Sequence, residues 1–186
     1  MLEIEVKYLA PDRKTLEAKL RTLGAREAGE HEEADHYFNA PDRDFRTTDE
    51  AFRIRRIGAQ NFLTYKGPRQ AGPTKTRPEI EVPLADGEAA AKDLGELLQH
   101  LGYLPVAIVR KKRRVYDMKR YGFDVHVSLD DVDQVGAYAE VEIVAEELDA
   151  DAARAAVLAL AAELGLSNSE RRSYLQLLLE RIGQQS

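Results

Sequence analysis

The sequence predicts an α+β fold in which antiparallel strands carry one apolar and one charged face and amphipathic helices cover the apolar one. Two observations lead there. Apolar and charged residues alternate with a period of two in segment after segment, as in Leu2-Glu3-Ile4-Glu5-Val6-Lys7-Tyr8. Between them lie stretches with leucines at helical spacing, closed by Gly, Pro, Asn and Asp.

Taken in order, residues 2–9 form the first strand, with Glu3, Glu5 and Lys7 on its charged side. Pro11-Asp12 opens a helix to about residue 23, with Leu16, Leu20 and Leu23 as its stripe and Gly24 as its stop. A strand over 27–39 ends in Asp35-His36-Tyr37-Phe38, and polar 39–50 reads as loop. Strands at 51–58 and 60–67 form a hairpin turning at Gly58-Ala59. Residues 67–73, rich in Gly and Pro, form a mobile loop, a candidate cover, before a strand at 74–84. A helix spans 87–101, strands span 105–117 and 121–131, and a last strand runs from 136 to 146. Two amphipathic helices, 149–164 and 169–182, close the chain. No break in composition divides residues 1–186, so a single domain is expected.

Composition narrows the function. The 186 residues are 32% charged, with 27 Lys+Arg against 33 Asp+Glu, where about 25% charged is usual. The absence of Cys excludes a disulfide framework, a thiolate metal site and a thiol nucleophile. A formal net charge of −6 argues against a nucleic-acid partner. No apolar run is long enough to span a membrane and residues 1–9 carry no leader pattern, so a cytoplasmic protein is expected. The run Arg110-Lys111-Lys112-Arg113-Arg114 is divided by strand alternation between two faces and reads as ordinary strand charge. The four His lack paired metal spacing, and no glycine-rich phosphate loop is present.

The surplus charge therefore sits on strands. Glu3/Glu5, Glu79/Glu81 and Glu140/Glu142 repeat at i and i+2. Carboxylates about 7 Å apart repel by roughly 2–3 kcal/mol at an effective dielectric near 20. Arg53/Arg55, Lys66, Lys75/Arg77 and Lys111/Arg113 supply opposing charge at the same spacing, and hard divalent cations would supply more. Such a face is either the wet side of an open sheet or the lining of a closed barrel; a lining of this kind suits a polyphosphate chelated by metal.

Glu3-Ile4-Glu5-Val6-Lys7 resembles the ExExK signature of the CYTH superfamily, the triphosphate tunnel metalloenzymes. The resemblance continues in order through Asp35-His36-Tyr37-Phe38, Ala51-Phe52-Arg53-Ile54-Arg55, Thr64-Tyr65-Lys66-Gly67-Pro68 and Arg77-Pro78-Glu79-Ile80-Glu81. It extends through Lys111 to Arg113, Leu129-Asp130-Asp131-Val132, Glu140-Val141-Glu142 and Ser173-Tyr174. It implies a closed antiparallel eight-stranded β-barrel, a triphosphate tunnel, with helices packed outside. It implies that Glu3, Glu5 and Glu142, with Glu140, Glu81 and Asp130, bind Mg²⁺ or Mn²⁺. It implies a triphosphate grip of Lys7, Arg53, Arg55, Lys66, Arg77, Lys111 and Arg113, and a Tyr37–Lys66 pair that activates water. Lys75 and Asp124 have the same parity on weaker matches.

The motifs look most like the class IV adenylyl cyclase branch, which turns ATP into cyclic AMP and pyrophosphate. The alternatives are an inorganic or thiamine triphosphatase and a non-catalytic polyphosphate-binding module. A homodimer is compatible with these readings.

Overall fold

The computed structural model describes residues 2–183. In chain order the elements are β1 (Leu2–Leu9), α1 (Arg13–Thr22), β2 (Arg26–Asn39), α2 (Phe45–Thr48), β3 (Ala51–Ile57), β4 (Gln60–Lys66), β5 (Lys75–Pro83) and α3 (Glu88–His100). They continue as β6 (Leu104–Arg120), β7 (Phe123–Val132), β8 (Gly136–Ala145), α4 (Ala150–Glu163) and α5 (Tyr174–Gly183). The strands close into a barrel in the order β1-β5-β4-β3-β2-β6-β7-β8, every neighbour antiparallel. Closure removes both sheet edges and turns one side of each strand into a lumen.

β1 is the closing stave. It pairs with β8 along its whole length, from Leu2↔Ala145 to Leu9↔Tyr138, and with β5 over Leu2–Glu5. Its outward Ile4 and Val6 join Val127, Leu129, Val141 and Ile143 beneath Leu16 and Leu20 of α1 and Val157 and Leu160 of α4. A second cluster, Phe38, Ile54 and Leu98, lies under α3. The apolar outer face is not wholly covered: Ile80 and Val82 on β5 are 60% and 49% exposed. Alternation fixes which face a residue takes, but α4 lies over β1, β7 and β8 while α3 lies over β3 and β6.

Two stretches depart from the sequence reading. The polar segment 39–50 contains α2, a single turn too short to show a helical period. Asp44 caps it by accepting from Arg46 N, and Asn39 Oδ1 accepts from Phe45 N at 2.8 Å. The last helix begins at Tyr174 instead of residue 169, because the chain before it is held extended against β1. Ser169 bridges Tyr8, and Glu170 N donates to the Lys7 carbonyl at 2.7 Å. Ser173 then starts α5 through a reciprocal box with Gln176: Gln176 N donates to Ser173 Oγ at 3.1 Å, and Ser173 N donates to Gln176 Oε1 at 2.8 Å. The loop at 67–73 is tied rather than free-standing. Arg69 grips Asp49 and donates to the Arg171 carbonyl at 2.8 Å, while Arg171 donates to the Gly72 carbonyl.

α5 does not lie on the outer wall. Tyr174, Leu177 and Leu178 pack against Tyr37, Val109, Val132, Val135 and Tyr138, so the helix stops one end of the barrel. Among the described residues no helix is long and apolar enough to cross a membrane.

Leu160, fully buried in the core, is predicted to lose about 2–5 kcal/mol of stability on Leu160→Ala. Ser173→Ala is predicted to cost about 1 kcal/mol by removing the α5 cap. Urea unfolding of both variants checks this order.

Candidate active site in the barrel tunnel

The inward side chains form a continuous ionic lining. On β1 and β8, Glu5 stands directly opposite Glu142 and Lys7 opposite Glu140. On β5, Lys75 faces Glu5 and Arg77 faces Glu3 across the β1 ladder. Lys66 on β4 donates to Glu3 and to Glu79, both at 2.6 Å, and Lys75 donates to Glu5 at 2.8 Å. Arg53 and Arg55 on β3 converge on Asp35, at 2.9 Å and 2.7 Å. Arg113 on β6 forks onto Asp130 at 2.6 Å and reaches Glu140 at 2.5 Å. Glu33 accepts ion pairs from Lys111 and Arg55, each at 3.1 Å, with His31 at 2.9 Å.

These contacts set the charge states. Burial would raise the Glu5 carboxyl, but Lys75 and then Lys7 and Lys66 outweigh it and hold it at about 2. Burial likewise opposes ionisation of Asp35 and Glu33, yet Arg53 and Arg55 on one, and Lys111, Arg113 and Arg55 on the other, hold both well below the usual carboxylate range. Glu142 goes the other way: burial, and next the Glu3 charge, push it up to about 8 against Lys66. Ionising Glu142 as well would leave the β1–β8 seam with more negative charge than its lysines neutralise.

Lys7 sits at the stopped end. Its Nζ donates to the Arg172 carbonyl at 2.6 Å and lies 3.9 Å from the Tyr174 ring centroid. Burial, and then Lys75 nearby, bring its amine down to about 7. Tyr174 donates to Asp130 at 2.8 Å.

A cavity of about 680 Å³ opens between α2, α5 and the lumen. One wall is cationic: Arg53, Lys66, Lys75 and Arg77. The rest of the lining mixes apolar Phe45, Phe52, Val106, Leu175 and Leu179 with charged residues of the rim, Asp44, Arg46, Asp49, Glu50, Arg69 and Glu180. Tyr37 lines it too, its hydroxyl accepting from Arg53 at 3.1 Å. Arg77 Nε is buried without a hydrogen-bond partner, a donor available to an incoming anion.

The structure thus brings Glu3, Glu5, Glu140, Glu142, Lys66, Arg53 and Arg77 together around one lumen. Of these, Arg53, Lys66 and Arg77 line the cavity while Glu3, Glu5, Glu140 and Glu142 lie off its wall; Arg55, Lys111 and Arg113 point into the same lumen, also off the wall, each held by buried acids. Asp130 is fully buried and already engaged by Arg113, Lys111 and Tyr174. Glu81 stands apart, exposed beyond the start of β1 and accepting from Thr64 Oγ1 at 2.8 Å. Asp124, of the same parity as Asp130, is also exposed. Glu33, Glu79 and the acid role of Asp35 are additions: alternation marks Glu33 weakly because Glu32 beside it is charged as well, whereas Glu79 and Asp35 have the inward parity but their contacts with Lys66 and with Arg53 and Arg55 come from the fold.

Among the described residues no three carboxylates or imidazoles are gathered tightly enough to form a ready cation cage. The donor set nonetheless fits a hard divalent cation: Glu5 and Glu142 face each other, Glu3 is two residues along, and burial, followed by repulsion from Glu3 and Glu5, raises the Glu142 carboxyl.

That repulsion gives a stability prediction. Glu142 titrates near 8 folded and near the ordinary value of 4.5 unfolded. The folded state then binds the extra proton between these values, and stability falls as pH rises across them. The metal-free melting temperature should therefore decline less steeply from about pH 5 to about pH 8 in Glu142→Gln than in wild type. Excess Mg²⁺ should restore wild type at the upper end, and equal slopes would contradict the crowding of this seam.

Comparison with known proteins agrees with this geometry. The CYTH domain model matches residues 1–174. A Methanocaldococcus jannaschii protein named as a candidate adenylate cyclase, MJ0240, is 35% identical over 180 residues, covering 95% of this chain and 98% of its own. The solved structure of PH1819 from Pyrococcus horikoshii superposes with a TM-score of 0.83 at 37% identity, covering 96% of this chain and 99% of that one. A Vibrio parahaemolyticus structure, also named as a candidate adenylate cyclase, shares the fold with a TM-score of 0.78 at 21% identity, over 96% and 98% of the two chains. The charged lumen, the closed barrel and the match along nearly the whole sequence lead to one assignment: the chain belongs to the CYTH domain family.

Proposed function

We propose that this protein is a divalent-metal-dependent enzyme acting on an organic triphosphate, whose phosphates meet the cationic wall of the cavity while its organic group rests on the apolar residues. The observation that carries this reading is that one cavity presents Arg53, Lys66, Lys75 and Arg77 together with the apolar Phe45, Phe52, Val106, Leu175 and Leu179. An inorganic chain alone would leave the apolar residues without a partner. Arg77 offers the uncommitted donor, Arg53 is pre-oriented by Asp35 and Tyr37, and the two lysines supply point charges.

Glu3, Glu5 and Glu142, with Glu140 beside them, would hold Mg²⁺ or Mn²⁺. Bound there, the metal would supply Lewis acidity toward phosphoryl oxygens and neutralise charge on the leaving group. The protein's own part is positioning. Lys66 and Lys75 are shared between carboxylates and substrate, so arrival of phosphate draws them from Glu3 and Glu5 and frees carboxylate oxygens on the seam. α5 stops the far side of the cavity and limits water entry.

The leading reaction is cyclisation of ATP, in keeping with the apolar residues of the cavity and with the name of the 35%-identical relative. The ribose 3′-oxygen bonds to the α-phosphorus, its proton departs, and the bond to the β-bridging oxygen breaks to release pyrophosphate. The second reading is hydrolysis of the terminal phosphate, in which water attacks the γ-phosphorus and orthophosphate leaves. It is supported by Tyr37 and Lys66, which line the cavity beside Arg53 and could orient that water.

Purified protein given ATP, thiamine triphosphate or inorganic triphosphate with Mg²⁺ or Mn²⁺ separates these readings. Cyclic AMP with pyrophosphate supports the cyclase, orthophosphate the triphosphatase, and binding without turnover a module that has lost catalysis. Glu3→Gln/Glu5→Gln should abolish turnover in either enzyme. Arg77→Gln should raise KM by about 10- to 100-fold through loss of a charge-assisted contact; unchanged kinetics in both variants would overturn the assignment.

A further inference from the structure

We propose that Glu33 sets the length of phosphate chain that the tunnel accepts, by keeping the deep cations occupied with protein carboxylate. The proposal rests on the tunnel's being a triphosphate site. The inward cations differ in what holds them, and Lys75 joins the cavity group through Glu5. Arg53, Lys66 and Arg77 stand on the cavity wall, whereas Arg55, Lys111 and Arg113 do not. The second group converges on Glu33, through Arg55 and Lys111 at 3.1 Å and Arg113 at 3.7 Å. Glu33 is 4% exposed and takes a further contact from His31 at 2.9 Å.

The neighbouring acids work differently. Asp35 also orients Arg53 at the cavity, and Asp130 is tied to Tyr174 of α5. Every cation on Glu33 lies off the cavity wall, so this carboxylate serves no cavity group directly. It occupies the place a further phosphoryl group would take if the chain continued inward. Three phosphates meet cations with available donors; a fourth meets Glu33 and is repelled by it at short range in a site of low dielectric. The fork donors of Arg55 and Arg113, which suit phosphate as well as carboxylate, are filled by Asp35 and Asp130, so Glu33 adds its charge beside them through ion pairs and leaves Lys111 as the cation it chiefly neutralises.

The experiment compares binding of inorganic triphosphate and inorganic tetraphosphate to the full chain by calorimetry in Mg²⁺. Wild type should bind triphosphate at least about tenfold more tightly than tetraphosphate, because the added phosphoryl meets the Glu33 carboxylate and no open cation. Glu33→Gln should bind tetraphosphate at least about tenfold more tightly than triphosphate, and Glu33→Asp should return to the wild-type ratio. Tetraphosphate should also raise the melting temperature of Glu33→Gln more than triphosphate does, since it replaces the missing charge. A wild type that binds tetraphosphate as tightly as triphosphate, or more tightly, overturns the proposal without need of any variant. So does a folded Glu33→Gln with the wild-type ratio, and in that case the triphosphate reading stands. A wild type that binds neither chain removes both.

Discussion

Closing the barrel forces every second side chain on eight strands into a shared interior, and here many of those side chains are charged. Moving an ion from water into such a space costs several kcal/mol even after relaxation. The lumen meets that cost by opposing nearly every carboxylate with a cation: Glu3 with Lys66, Glu5 with Lys75, Asp35 with Arg53 and Arg55, Asp130 and Glu140 with Arg113. Fold and function both follow from this pairing. Apolar residues of the right size would give at least as stable a barrel, so the ionic lining is best understood as stability spent on a ligand of matching charge.

The pairing is uneven, and the unevenness has direction. At the cavity, lysines are shared among acids and Arg77 retains a buried donor without a partner. Deeper in, two-pronged arginine contacts and the Glu33 cluster leave little open. Along the β1–β8 seam burial and the Glu3 charge keep Glu142 from ionising without a further cation. An anion at the first place and a cation at the third would complete the balance, which is how a metal-chelated polyphosphate would be recognised.

Much of this was legible in the alternation of residues. The parity of Glu3, Glu5, Arg53, Lys66, Arg77 and Glu142 places them on one charged face, and the resemblance of the ordered motifs supplies the closure that turns that face inward. Parity does not give position along the barrel axis. Glu81 has the inward parity but lies beyond the start of β1, and it is exposed for that reason. Nor does parity help where both faces are charged. In Glu30-His31-Glu32-Glu33 the choice of Glu33 depends on the pairing of β2 with β6, which places it opposite Lys111. The same holds for α2, whose single turn has no period, and for the residues before α5, which are held by backbone bonds to β1.

The most direct test of the central claim is a crystal structure of the protein soaked with inorganic triphosphate and Mn²⁺, with anomalous scattering used to locate the metal. The account predicts phosphate density against Arg53, Lys66 and Arg77, with Lys66 drawn from Glu3, and a manganese peak beside Glu5 and Glu142. Phosphate and metal found only on the outer surface, with the interior ion pairs of the barrel unchanged, would contradict it.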